Sequence, residues 1–340
     1  MIRRILVLGA LTMTVVLAQS QGQSEYKYNA DADPNYKAPK TSWGEPDLRG
    51  MWPLNHLIAV GLQRNERYGN RLYLTDEELD QAQNRLDQRN SRFEGAEIPV
   101  ADTSSRVMRQ TSLIVSPANG QFPELTPYGK DMSAKMRSSY KPGQVVFDKV
   151  EDFSAWDRCI TRGMPASMEP RNYNNGLRIF QSPGYVAIVL EMAHETRIIP
   201  TDGRAQLDDG IKQWLGESRG HWEGNTLVVE TTNYNGKVGK TSAGVPGSPR
   251  PLQPSTPNMR TVERFTRVAD DQINYEITIE DPEVLTEPFT VAYPMYLDND
   301  YQMYEYACHE GNTAVRNYIE ASRFERKEAA AKGEEIKDKF

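Results

Sequence analysis

The chain holds four histidines, His56, His194, His221 and His309. Histidine is the side chain whose ordinary pKa lies near neutral. Three of the four stand close to carboxylates. Glu191 precedes His194 by three residues, Glu223 follows His221 by two, and Glu310 directly follows His309. An imidazole oriented by a carboxylate is the minimal unit for general acid–base chemistry. The expected pair is His194 with His309 as acid and base, Glu310 orienting and Glu191 nearby. On a continuous strand Glu191 and His194 would point to opposite faces. They could converge only if the strand ended or bulged between them. The competing reading of each histidine is a structural hydrogen bond at a strand end.

Arginine clamps carboxylates, sulfate and phosphate. Arg158, Arg162 and Arg197 lie around the same segments and are the expected substrate clamps, with Tyr173, Asn175 and Tyr306 as further contacts. Salt bridges are the competing reading for the arginines, and a turn is the competing reading for the asparagines around Tyr173. His194, His309 and a carboxylate would suit Zn2+ or Fe2+. The chain has no His-Glu-x-x-His motif, so no resident cofactor is expected, with a divalent metal as the alternative. Gly216, Ser218 and Gly220 spell the spacing of a nucleophile elbow. The strand before and helix after that such an elbow needs are missing.

Two cysteines, Cys159 and Cys308, complete the candidates. One disulfide is expected, with a nucleophilic Cys308 beside His309 as the competing reading. The N-terminus carries Arg3 and Arg4, an apolar run over residues 5–17, and the small residues Ala18 and Ser20. That is the three-part pattern of a secretory signal, with cleavage near Ser20. The run is too short to span a bilayer, which needs about 20 apolar residues. The expected location is therefore periplasmic or secreted, with no membrane span in the mature chain. Net charge is -7, and loss of Arg3 and Arg4 makes it two units more negative. Without a basic stripe, nucleic acid is not an expected partner; a small-molecule substrate or ligand is.

The elements that must position these residues follow from pattern. Thr75 and Glu78 form a capping box for a helix over 75–92, and Pro127 suits the first turn of a second over 126–139. Residues 43–52 read as a segment pinned to the surface by two tryptophans, and not as a strand. From residue 177 onward, short β-rich runs alternate with tight turns: 177–180, 185–192 (buried on both faces), 195–200, a hairpin around Glu223-Gly224-Asn225, then 262–268, 273–279 and 289–293. A loop over 235–258 could form a lid. The tail over 313–337 reads as helical. Strands without intervening helices imply an antiparallel sheet. The expected fold is mainly β, a lipocalin-like barrel or a sandwich, with an N-terminal loop and helix extension and a C-terminal helix. The expected division is a signal over 1–20, the extension over 21–150, the β domain over 151–323 and a charged tail over 324–340.

The segments RCITRGMP, YNNGLRIFQSPGYVAIVLEMAHETRIIPTDGR, WLGESRGHWEGNTLVVETTNYN and YEYACHEGN resemble an uncharacterised family of secreted bacterial proteins. The resemblance covers residues 150–323 and implies membership; it implies no activity. The residues themselves point to an exported enzyme working by acid–base chemistry in a β-barrel cavity, a hydrolase, lyase or isomerase. A non-catalytic ligand-binding barrel is the alternative, with its histidines outside the cavity. A surface-interaction protein without a cavity is a third reading.

Overall fold

The computed structural model describes residues 35–91, 107–171, 173–239 and 253–340. The expected signal sequence and the middle of the expected 235–258 loop lie outside these residues. In chain order the elements are β1 (Gly50–Met51), α1 (Asp76–Ser91), β2 (Ile114–Ser116), α2 (Pro127–Lys135), β3 (Leu177–Ser182), β4 (Tyr185–Leu190) and β5 (Thr196–Pro200). They continue with β6 (Glu217–Glu223), β7 (Thr226–Thr232), β8 (Arg260–Ala269), β9 (Gln272–Glu280), β10 (Phe289–Tyr296) and α3 (Ala314–Ala331). The protein is mainly β. Its strands form two antiparallel sheets, in the orders β1-β3-β4-β5 and β2-β10-β9-β8-β7-β6. No helix among the described residues is long and apolar enough to cross a membrane.

Alternation of side chains builds the six-stranded sheet. On β8, Thr261, Glu263, Phe265 and Arg267 are buried; on β9, Ile273, Tyr275, Ile277 and Ile279 are. Phe265 pairs with Tyr275, and Tyr275 with Tyr293 on β10. Their rings lie 4.9 and 5.0 Å apart, a cross-strand aromatic row through the core. The hairpin between β6 and β7 turns at Gly224, whose φ of +60° side chains rarely adopt.

One core joins the sheets, with Ile179, Ile188 and Ile199 of the first packed in the same cluster as Val229, Phe265 and Ile277 of the second. Arg197 on β5 reaches Glu263 on β8 through a two-pronged ion pair, one contact being 2.8 Å, and both side chains are buried. The Tyr275 hydroxyl donates to the same carboxylate at 2.9 Å. Burial opposes the Arg197 charge, but Glu263 overrides it and holds the guanidinium above its ordinary pKa.

Three expectations need correction. Residues 43–52 contribute β1, whose Gly50 and Met51 pair with Ile179 and Arg178. Trp52 is wholly buried and donates its indole N–H to the Leu48 carbonyl at 2.9 Å. Turn residues and a lone buried tryptophan hid so short a strand. β4 buries one face fully and the other only partly, alternating along its length. α2 ends at Lys135, and α3 at Ala331.

Candidate functional site

A cleft of about 940 Å3 opens between irregular segments of the chain and the first turns of α3. Its walls are drawn from residues 58–62, Tyr140, Trp156, Cys159, Arg162, residues 169–171, Tyr173, residues 305–308 and 310–312 and Tyr318, with Leu113 behind. Among the described residues, none of β3–β10 lines it. The cleft therefore lies beside the sheets and outside their packed interior.

The first wall begins as a single helical turn. Ser154 Oγ receives the Asp157 amide at 3.2 Å and donates to the Asp157 carboxylate at 2.8 Å. The turn ends where Cys159 N–H donates to Trp156 O at 2.9 Å and Ile160 N–H to Ala155 O at 2.8 Å. This is a Schellman cap, whose left-handed residue is commonly glycine. Here it is Cys159, at φ +57°. Its sulfur bonds Cys308 on the opposite wall, which fixes the residue in that conformation. The cysteines are thus oxidised, and no free thiol exists.

The cap places Trp156 and Arg162 in the cleft. The Arg162 guanidinium lies over the Trp156 ring, 3.6 Å from its centre. Its Nε donates to Met192 Sδ. Among the described residues it makes no ion pair, although the buried Glu195 carboxylate feels its charge. Burial, aided by nearby Arg171, lowers its pKa to about 10, so it stays charged at neutral pH. Arg171 also lines the cleft, but Glu169 neutralises it at 3.2 Å. Asp157 is held by the Ser138, Ser139 and Ser154 hydroxyls.

Tyr306 faces Trp156 from the other wall, with ring centres 6.0 Å apart at 29°. Tyr173 follows at 6.2 Å and 15°. Burial and a hydrogen bond with Tyr173 push the Tyr306 hydroxyl up to about 12. Burial also raises Tyr140, which lines the same space. Asn175 presents Tyr173 without touching the cleft: its amide brackets Arg171, accepting from the backbone N–H at 2.5 Å and donating to the carbonyl at 2.6 Å.

Nothing among protein families, curated proteins or solved structures matches this chain.

Of the residues singled out in the sequence, Arg162, Tyr173, Tyr306 and Glu310 line the cleft together with the disulfide. The others do not. His194 is exposed and donates from Nδ1 to the Tyr306 carbonyl at 3.0 Å. His309 is exposed as well. His221 sits on the surface with Glu223 at 3.1 Å. His56 donates to Pro294 O at 2.9 Å. Arg197 belongs to the core, and Arg158 returns to the Ser154 carbonyl at 3.3 Å. Ser218 lies on a strand and shares its hydroxyl with Thr231. No three His, Cys, Asp or Glu side chains among the described residues converge to hold a metal ion.

Glu191 is buried behind the cleft and does connecting work. Its carboxylate accepts from Asn174 Nδ2 at 3.0 Å and from Gly176 N, Tyr301 Oη and Tyr304 N at 2.8 Å each. The strand does end after Leu190, yet Glu191 turns inward and His194 outward. Glu191→Gln would set an amide N–H2 against these donors. The expected cost is about 1–3 kcal/mol in urea unfolding. An unchanged midpoint would show that the four bonds hold nothing together.

Trp156, Tyr140 and Arg171 were not singled out by sequence reasoning. The one available signal was proximity: Trp156 precedes Cys159 by three residues, and a disulfide brings its neighbours to the far wall.

Proposed function

We propose that this is an exported protein that binds a small molecule in the aromatic cleft beside its disulfide. The observation that carries the reading is the company in that cleft. Trp156, Tyr140, Tyr173 and Tyr306 gather there with an unpaired guanidinium, in a volume within the range of ligand sites, about 300–1,000 Å3. The histidines lie outside it. Export is supported by the N-terminal pattern and by the disulfide.

We also read the two sheets as one barrel-like wall. β5 lies against β6, where a Cβ on Gly220 would come within 3.0 Å of Ile199. At the other margin Asp298 N–H donates to Met51 O at 2.9 Å. The interior of that wall is filled by side chains, which sends a ligand to the external cleft.

The test is a thermal-shift screen of small molecules against the mature protein and Trp156→Ala. A ligand at a hundredfold excess over Kd should add about 2.7 kcal/mol of stability. The Trp156→Ala variant should lose that shift. Compounds that stabilise both proteins equally would move the site elsewhere and defeat the proposal.

A catalytic use of the same cleft has one observation in its favour. Glu310 lines it and directly follows His309. Turnover of a bound compound that disappears in Glu310→Gln would establish that use.

A further inference from the structure

Resting on the binding reading above, we infer that the ligand is a flat aromatic ring bearing a single carboxylate. Three features of the cleft select it. The first is Arg162. An arginine inside a protein normally meets a carboxylate. This one forms no ion pair: it meets a tryptophan face and a thioether. The nearby Glu195 carboxylate feels its charge but is hydrogen-bonded to Ser167, and the other cleft arginine, Arg171, is already neutralised by Glu169. The terminal nitrogens of Arg162 are therefore left for an acceptor from outside the protein. A guanidinium fork matches the two oxygens of a carboxylate, and the partly desolvated setting strengthens that contact.

The second feature is the set of ring faces. Trp156, Tyr306 and Tyr173 follow one another with modest interplanar angles, 29° and then 15°. A flat ring can lie along these faces with its acid group directed at Arg162, which is itself stacked on the first of them. Offset stacking rewards a planar π-system over a puckered aliphatic ring of similar size.

The third is negative charge elsewhere along the cleft lining. Glu305 and Glu310 line it and are exposed. They repel a second negative charge and so disfavour dicarboxylates and phosphates.

Calorimetric titration at pH 7 tests the inference on the full mature protein. The probes are 4-hydroxybenzoate, trans-cinnamate and indole-3-acetate, each paired with its primary amide. Cyclohexanecarboxylate and phthalate serve as the aliphatic and dianionic controls. At least one acid should bind about tenfold more tightly than its amide, a difference of about 1.4 kcal/mol. It should also exceed both controls. In Arg162→Met, which keeps an apolar stem over Trp156, acid and amide should bind alike. Should that variant fail to fold, Arg162→Gln serves, and the acid-to-amide ratio of the unmutated protein already decides the point. Equal binding of acids and amides would overturn the carboxylate while leaving the cleft a binding site. Equal binding of the cyclohexane acid would overturn the aromatic ring. Failure of every probe, neutral amides included, would overturn the ligand class; if the wider screen also found no ligand lost in Trp156→Ala, the binding reading would fall with it.

Discussion

Arg197→Met should cost the fold about 3–5 kcal/mol, enough to lower a denaturation midpoint by a large part of a typical domain's stability. The substitution keeps length and apolar volume. What it removes is the counter-charge of Glu263, whose carboxylate is wholly buried and would retain only the Tyr275 hydroxyl. An uncompensated charge at that depth must either take up a proton or admit water. The companion experiment replaces the whole polar group, with Arg197→Met, Glu263→Leu and Tyr275→Phe together. Buried ion pairs exchanged for apolar residues of similar volume are often neutral or stabilising, so the triple variant should recover most of the loss. If the single variant unfolds at the unmutated midpoint, the pair is not the tie between sheets described above.

Removal of the disulfide should have a comparable effect by a different route. The bond joins cysteines 149 residues apart. In the loop-entropy treatment, a crosslink of that span destabilises the unfolded chain by about 4–5 kcal/mol. The Cys159→Ser and Cys308→Ser double variant should therefore unfold at markedly lower urea. It should also lose cleft binding under conditions where it remains folded. Both cysteines line the cleft, and Asn312 reaches across to the Asp157 carbonyl at 3.2 Å. That contact and the Tyr173–Tyr306 hydrogen bond are weak substitutes for a covalent one. Retained affinity in the folded double variant would mean that the walls hold their spacing unaided.

The strands were legible because alternation is a local signal. β9 announces itself by a polar residue at every second position, β8 by its β-branched and aromatic content, and Gly224 marks its hairpin directly. The same signal also placed Arg197, had it been followed. Arg197 shares a strand face with Ile199, and Glu263 shares one with Phe265, so both charges were pointing inward with the core. Chemical reasoning about arginine as a clamp overrode the register. The placement of the histidines was not legible for a related reason: residue type suggests a role but not a position, and here His194 meets a backbone carbonyl and His221 a surface carboxylate. The cleft was the least legible feature. Its walls have no periodicity, and its tightest turn ends on a cysteine where a glycine would have been the visible cue. Four of its residues were found nonetheless, all of them close in sequence to Cys159 or Cys308 or within the asparagine-rich turn at Tyr173.

The presence of only two cysteines has a consequence for maturation. Within one molecule only a single pairing can form, and it is the native one. There are no scrambled isomers to correct, so oxidation alone should complete the crosslink and an isomerase should add nothing to the yield. The error open to this chain is intermolecular, between two molecules oxidised before they fold. That error rises with concentration, and dilute refolding should suppress it.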